Sequence, residues 1–221
     1  MRLPRPKSSG IVLIEVLIIL LVLMLLVVLM LPYLAGGGPA KGAQCRSNQQ
    51  QITVGFILWD SDNAGKFPWQ VSETNQGAME ASARGDVVAG YKTLQGYLQW
   101  PPVFVCPTDP SRTAATNFSS LGNQNLSYFI NFDGVARATN AFAGIMTGDR
   151  HLSADGTPVK PGLFTYSTNM VMGWTTELHS LAATPMGVLS FYDGHCEAVN
   201  NTNINAALQR QRLASSRFAV P

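Results

Sequence analysis

The sequence predicts an α+β protein with an N-terminal transmembrane helix, and three observations lead to this prediction. Residues 11–31 form an apolar run of 21 residues that carries a single charge. Apolar residues at helical spacing follow over residues 41–62. Beyond them, short apolar runs alternate with Gly, Pro, Asn and Asp, as is typical of antiparallel strands joined by turns. A helix that lies across such a sheet defines the α+β class.

The apolar run is long enough to cross a bilayer. As an α-helix its 21 residues would extend over about 31 Å, which matches the hydrocarbon core. The basic residues Arg2, Arg5 and Lys7 precede the run, and no acidic residue does. Because basic residues that flank a span stay in the cytoplasm, we expect a cytoplasmic N-terminus. The sequence therefore predicts a single-pass protein of the inner (cytoplasmic) membrane, held in the lipid bilayer, whose head is periplasmic or extracellular.

The rest of the chain carries little net charge. The 221 residues include 15 basic and 13 acidic residues, which gives a formal net charge of +2. Without the three basic residues before the apolar run, 12 basic residues stand against 13 acidic ones. A protein that binds nucleic acid would instead present a basic stripe or patch. We therefore expect no nucleic-acid partner.

The single charge of the apolar run belongs to Glu15. A carboxylate costs about 2.5–3.5 kcal/mol at the centre of a membrane helix and less near its end. Taken alone, Glu15 is explained equally well as a carboxylate tolerated at the interface. Its context adds information, because Gly10 directly precedes the run and Glu15 is the fifth residue after that glycine. The ten residues MRLPRPKSSG form a short basic leader.

This N-terminus resembles the type IV prepilin signature, a Gly followed by an apolar stretch with Glu at its fifth position. The resemblance implies that prepilin peptidase, a membrane aspartic peptidase, cleaves the Gly10–Ile11 bond and methylates Ile11. It also implies that Glu15 pairs with the α-amino group of a neighbouring subunit during assembly, and a paired charge is tolerated in lipid where a lone one is costly. The family usually has Phe at the position of Ile11, and we expect this departure to affect only the efficiency of processing.

A break is predicted after the apolar helix. Pro32 lacks an amide donor and is expected to end or kink the helix, and Gly36-Gly37-Gly38-Pro39 is a strong helix breaker. The predicted organisation is a cytoplasmic leader (1–10), a transmembrane helix (11–34), a Gly/Pro-rich break (35–42) and an extracytoplasmic pilin-like head (43–221).

The head is predicted to begin with an amphipathic helix. Cys45, Ile52, Phe56 and Trp59 are spaced by seven, four and three residues, so they lie on one helical face. Strands are predicted over residues 103–106, 126–132, 141–147, 162–166, 170–174, 188–192 and 195–199. Asp193-Gly194 predicts a two-residue hairpin turn between the last two strands. A final helix is predicted over residues 204–213.

The head also resembles the pseudopilin-like proteins of planctomycetes and verrucomicrobia. The matching elements are a helix with Cys45, an ending of Trp59-Asp60 through Phe67-Pro68, the Cys106-Pro107-Thr108-Asp109 element and the Asp193-Gly194-His195 hairpin. The sequence alone allows three pairings among its three cysteines. The resemblance implies a Cys45–Cys106 disulfide. It also places Cys196 where the family has Val, so Cys196 is expected to act as a small buried hydrophobe.

The acidic residues and histidines of the head are candidate metal ligands. His151, His179 and His195 match no local motif such as HExxH, so a catalytic metal site is not favoured. The resemblance to major pseudopilins implies a calcium ion in a loop of the head. Ca²⁺ takes six to eight oxygen ligands, which carboxylates and backbone carbonyls can provide. The acidic residues considered as its ligands are Asp149, Asp155 and Asp193. There is no EF-hand pattern and no GxSxG motif in the sequence, and we do not expect an enzyme.

The resemblance implies a structural function. The chain would be a subunit of a type II secretion pseudopilus or of a type IV pilus, with other pilin or pseudopilin subunits and an inner-membrane assembly platform as partners. One alternative is a signal-anchored extracytoplasmic protein that binds a ligand or ion and does not polymerise. Another is a secreted enzyme whose apolar run is a signal peptide, although the run exceeds the usual core of about 7–15 residues.

Overall fold

The N-terminal apolar helix α1 spans Leu13–Leu34. In this computed structural model, residues 13–34, 38–134, 144–181 and 184–221 are described. Within α1, the stretch Leu13–Met30 is long and apolar enough to cross a membrane, and none of it is buried by the protein. Glu15 lies in the first turn of α1. The chain divides into two compact units, Met1–Pro39 and Ala40–Pro221.

The break after α1 is shorter than predicted. Pro32 was expected to end or kink the helix; it lies inside α1, which continues to Leu34, so it does not end the helix. The proline removes one hydrogen bond from the last turn without ending the helix. Helix α2 begins at Gly38, so residues 38–42 are helical. Pro39 is compatible with this start because the amides of a first turn have no intrahelical partner. The remainder of the predicted break, residues 35–37, lies outside the described residues.

Helix α2, Gly38–Asp62, has the predicted buried face. Cys45, Ile52 and Phe56 are completely buried, and Trp59 is nearly so. The helix ends just before Asn63-Ala64-Gly65, where Ala64 and Gly65 adopt positive φ angles of 56° and 73°. The Gly65 amide donates to the Asp60 carbonyl over 3.0 Å, which satisfies one of the last carbonyls of the helix.

Short helices connect α2 to the sheet. They include α3 (Met79–Ala83), α4 (Val87–Lys92) and a 3₁₀ helix over Pro101–Phe104. The strand predicted over residues 103–106 is therefore wrong. Pro101 and Pro102 fix their φ angles near the helical value and provide no amide donors for a strand pair.

Among the described residues, seven strands form one antiparallel sheet in the order β5-β10-β1-β2-β8-β7, with β9 pairing on β8. The strands are β1 (Tyr128–Asn131), β2 (Ile145–Asp149), β5 (Gly162–Ser167), β7 (His179–Leu181), β8 (Thr184–Phe191), β9 (Cys196–Asn200) and β10 (Ser215–Val220). A smaller sheet is formed by β3 (Leu152–Ala154), β4 (Thr157–Pro158) and β6 (Met172–Trp174). Helix α5 spans Asn203–Arg210. The α+β class and the antiparallel sheet are confirmed.

Most of the predicted strands are present, with shifted ends. The predictions over residues 126–132, 162–166, 170–174, 188–192 and 195–199 correspond to β1, β5, β6, β8 and β9. The predicted strand 141–147 begins in residues 141–143, which lie outside the described part, and β2 starts at Ile145. Strands β3, β4, β7 and β10 were not predicted.

Two apolar clusters cover the two faces of the main sheet. Tyr128 and Ile130 of β1 belong to the cluster that includes the buried face of α2. Phe129, between them in sequence, belongs to the cluster that includes α5 and β6, as the alternation of side chains along a strand requires. Gly187 permits close packing in the second layer, because a Cβ atom there would lie 2.6 Å from the ring of Trp174.

Candidate functional site

A buried polar cluster lies where the N-terminal half of α2 meets the sheet. Its anchor is a disulfide between Cys45 of α2 and Cys106, and both residues are fully buried. This is the pair that the resemblance to pseudopilin-like proteins implies. The bond closes a sequence separation of 61 residues and fixes α2 to the turn that starts at Cys106. Cys196 is not in a disulfide, and it is half-buried rather than buried as expected.

The turn after Cys106 carries the hydroxyl at the centre of the cluster. The Asp109 amide donates to the Cys106 carbonyl over 2.9 Å and closes the turn. Thr108 Oγ1 lies 2.8 Å from Cys106 Sγ and 3.8 Å from Cys45 Sγ. The same hydroxyl lies 3.4 Å from Nδ1 of His179 on strand β7. One side chain thus contacts both sulfurs and the imidazole.

An ion pair holds this turn to the end of strand β2. Arg150 donates from Nε to Asp109 Oδ2 over 2.8 Å and from its terminal nitrogen to Oδ1 over 3.0 Å. Ser127 donates to the same carboxylate over 2.9 Å. Burial alone would raise the pKa of Asp109, but the Arg150 guanidinium and the Ser127 hydroxyl bring that pKa below its usual value. Arg150 also contacts Glu177 over 3.1 Å, so the turn, β2 and the segment before β7 are linked.

Asp149 lies deeper, at the last position of β2, and is fully buried. Its Oδ1 accepts from Gln49 Nε2 over 3.0 Å, and its Oδ2 accepts from the Val188 amide over 2.7 Å. His179 Nε2 lies 3.4 Å from Oδ2. Burial raises the pKa of Asp149 to about 8 and lowers the pKa of His179. The two groups therefore favour a neutral hydrogen bond over an ion pair.

The second histidine of the cluster, His151, is buried against Trp174, with 4.9 Å between the ring centroids. His151 Nε2 donates to the Met186 carbonyl over 2.9 Å. Its Nδ1 has no hydrogen-bond partner among the described residues. Burial lowers the pKa of His151 to about 4, so the ring is neutral. The ring of His179 lies 6.3 Å from it.

Other polar groups extend the cluster under α2. Thr53 donates to the Ser190 hydroxyl over 2.7 Å, and that hydroxyl also lies 2.6 Å from Thr147 Oγ1. Asn48 donates to the Val105 carbonyl over 3.0 Å. Sequence reasoning did not select these residues. A signal was available, because Gln49 and Thr53 are polar yet lie on the same helical face as Cys45, Ile52 and Phe56.

The acidic residues that were predicted to bind calcium do not come together in the described part of the chain. Asp149 is enclosed beneath α2, as described above. Asp155 lies in the turn between β3 and β4, where its Oδ1 accepts from the Val171 amide over 2.9 Å. Asp193 lies in the turn between β8 and β9 and pairs with Nδ1 of His195. These residues are on separate elements, and within the described ranges they are not part of a group whose ligand atoms meet at metal-binding distance.

A different set of residues lies close together, although two of them are joined in the disulfide described above. The ligand atoms of Cys45, Cys106 and His179 all lie within 4.8 Å of one another. Within the described ranges, no other group of three or more His, Cys, Asp or Glu residues meets this criterion. Gly10 and Ile11, the residues of the predicted cleavage site, lie outside these ranges, and Glu15 lies at the start of α1.

Comparison of the chain with protein-family models, with curated proteins and with solved structures finds no match. The N-terminal segment and the buried polar cluster are the features of the molecule that bear on its function.

Proposed function

We propose that this chain is a structural subunit of a pilin-like filament, either a type II secretion pseudopilus or a type IV pilus. The observation that carries the proposal is helix α1. Its stretch Leu13–Met30 has a mean hydropathy of 3.4, and none of it is buried by the protein. Removing such a surface from water contributes roughly 25 cal/mol per Å². The helix therefore needs lipid or the helices of other subunits around it.

Glu15 supports assembly rather than simple anchoring. It is the acidic residue in the first turn of an otherwise apolar helix. A lone carboxylate in this position is costly in lipid. If prepilin peptidase cleaves after Gly10, the new α-amino group of Ile11 provides a positive charge on each subunit. Pairing of Glu15 with the Ile11 amine of a neighbour offsets the cost and sets the register between the helices.

The head suits a structural role at the surface of a filament. The disulfide, the Asp109–Arg150 pair and two apolar clusters fix its elements to one another. We propose that it lies in the periplasm or outside the cell, and that the partners of the chain are prepilin peptidase, other pilin or pseudopilin subunits and an inner-membrane assembly platform.

Assembly is tested in a cell that contains a pilin assembly system and prepilin peptidase. Subunits are cross-linked in the membrane, and the sheared and membrane fractions are compared for three proteins: wild type, Glu15→Ala and Ile18→Ala. Ile18→Ala is the matched control, because it changes the same helix without removing a charge. We expect wild type and Ile18→Ala to form cross-linked ladders and Glu15→Ala to remain monomeric. Ladders of equal extent for Glu15→Ala would contradict the role of Glu15.

The buried polar cluster favours a second candidate, the signal-anchored protein that binds an ion or ligand and does not polymerise. The convergence of Cys45, Cys106 and His179 is the observation behind it. This candidate predicts that wild type yields no ladder and keeps Met1. The cross-linking experiment and the N-terminal mass thus separate the two candidates.

A further inference from the structure

Three side chains that can bind soft metal ions meet beneath α2, and each comes from a different element. Cys45 is on α2, Cys106 begins the turn after the Pro101–Phe104 helix, and His179 begins strand β7. Their ligand atoms lie within 4.8 Å of one another. Two thiolates and an imidazole are donors that Zn²⁺ prefers, and catalytic zinc sites with this donor set leave a fourth position for water. In the disulfide form, however, neither sulfur is a thiolate.

We propose that reduction of the Cys45–Cys106 disulfide converts this cluster into a binding site for a thiophilic divalent metal ion such as Zn²⁺, with both sulfurs and His179 as ligands. Two equivalents of a thiol supply two electrons and two protons, so that the S–S bond breaks and two cysteine thiols form, while the reductant becomes a disulfide. Both thiol protons then pass to solvent as the thiolates bind the ion. The proposal does not depend on filament assembly.

The position of Thr108 indicates where the ion lies. Its hydroxyl contacts both sulfurs, at 2.8 and 3.8 Å, and the His179 ring at 3.4 Å. A polar atom therefore already occupies the centre of the three donors. Zinc takes sulfur at about 2.3 Å and nitrogen at about 2.0 Å. Rotation of the Thr108 side chain vacates this centre, and the sulfurs, no longer bonded to each other, are able to move apart around the ion.

The surroundings of His179 match those of a metal-bound imidazole. A histidine that binds a metal through one nitrogen usually donates its other N–H to a carboxylate or carbonyl. His179 Nδ1 faces the Thr108 hydroxyl, whereas Nε2 lies 3.4 Å from Asp149 Oδ2. Nε2 also lies 3.5 Å from Cys106 Sγ, so this nitrogen contacts both the Asp149 carboxyl group and one of the two sulfurs. Asp149 is itself held by Gln49 and by the Val188 amide.

Access to the cluster is through strand β7. Both cysteines are fully buried, but the side chain of His179 is 14% exposed. β7 is a three-residue strand at the edge of the sheet, paired on one side with β8. A short edge strand opens at lower free energy than the centre of a sheet. The same residues would therefore join α2 to the 106–109 turn in two ways, by a disulfide when oxidised and by a bound metal ion when reduced.

The test uses the full chain in detergent with Cys196→Ser as the background, so that the third cysteine takes no part. The protein is treated with a phosphine, which takes oxygen from water as it reduces the S–S bond to two thiols. It is then titrated without oxygen with Co²⁺, whose thiolate charge-transfer and tetrahedral d–d bands report the ligands, and with Zn²⁺ in competition. Circular dichroism follows the fold throughout.

We expect one equivalent of Co²⁺ to bind the reduced protein with thiolate bands, and none to bind the oxidised protein. Asp149→Asn is expected to weaken binding about 10- to 100-fold, the usual effect of losing a carboxylate behind a metal-bound histidine. His179→Ala is expected to weaken binding at least as much, and His195→Ala, the matched control, to leave it unchanged.

Two results would overturn the proposal. The first is a reduced protein that binds no ion, whether or not the head stays folded. The second is binding to His179→Ala as tight as to His195→Ala, which would mean that the two thiols bind the ion without this site. A head that unfolds on reduction and refolds when one equivalent of Zn²⁺ is added would support the proposal, because the ion then replaces the disulfide.

Discussion

The two long helices of this protein have similar lengths but differ in how their apolar residues are distributed and buried. Helix α1 has 22 residues and α2 has 25. Apolar residues occur all around α1, and the side chains from Leu13 to Met30 are exposed, as with Leu23 at 52%. In α2 they form one stripe, and Phe56 on that stripe is completely buried. Helix α2 is therefore stabilised by packing within its own head, whereas no described residue of the chain buries the apolar stretch Leu13–Met30 of α1.

The largest expected effect contrasts a buried residue of α2 with an exposed one of α1. Phe56→Ala should lower the free energy of unfolding of the head by about 3–5 kcal/mol, because it removes a ring from a packed core. Leu23→Ala should change it by less than about 0.5 kcal/mol. Chemical denaturation of the full chain in detergent measures both. Leu58→Ala, at an exposed position of α2, is the control. If Leu58→Ala lost as much free energy of unfolding as Phe56→Ala, the apolar stripe of α2 would not be its buried face.

A second prediction concerns the bond that fixes α2 to the head. Replacing both Cys45 and Cys106 by Ser should cost about 4 kcal/mol of stability, from the chain entropy of a loop closed over 61 residues. Denaturation under oxidising conditions measures the loss. Cys196→Ser is the control and should cost far less, since Cys196 forms no disulfide. Equal losses for the two proteins would mean that the Cys45–Cys106 bond does not constrain the chain.

A smaller effect, about 2 kcal/mol, is expected when the Asp109–Arg150 pair is broken by Asp109→Asn. Arg150 holds the pKa of Asp109 below its ordinary value of 3.8 in the folded protein. The stabilisation is therefore present above the unfolded-state pKa and is lost as the pH falls through the folded one. The stability difference between wild type and Asp109→Asn should be constant from pH 7 to about 4 and shrink below that.

Glu177→Gln provides the matched control for this prediction. Glu177 contacts the same Arg150, but its side chain is 49% exposed. Exposed ion pairs contribute about 0–1 kcal/mol, so this variant should lose less stability than Asp109→Asn. A difference for Asp109→Asn that grows at low pH would contradict the assigned direction of the pKa shift.

Helices α1, α2 and α5 and the β8–β9 hairpin could be predicted from the sequence because their signals are local. Periodicity identified the buried face of α2, and Asp193-Gly194 identified the turn between β8 and β9. Strand β10 was missed, although it lies between β5 and β1, because Ser215-Ser216-Arg217 has no apolar alternation and its pairing is non-local. Residues 103–106 were assigned to a strand from their apolar character, which the preceding prolines override.

The polar cluster was harder to predict than the fold. The Cys45–Cys106 pair came from a resemblance, since the spacing of the cysteines allows any of the three pairings. The approach of His179 to Asp149 depends on how β7 and β2 each pair with β8, and no local pattern encodes that register. Gln49 and Thr53 carried a signal, because a polar residue on the buried face of a helix needs a buried partner.

The N-terminal mass of the membrane-extracted protein tests whether α1 is the processed assembly helix of a pilin-like subunit. The protein is expressed with and without prepilin peptidase, and Ser9→Ala and Gly10→Val are analysed beside wild type. We expect wild type and Ser9→Ala to begin at N-methylated Ile11 only when the peptidase is present, and Gly10→Val to keep Met1. A wild-type chain that begins at Met1 in both conditions would contradict processing of α1 and leave a simple signal anchor.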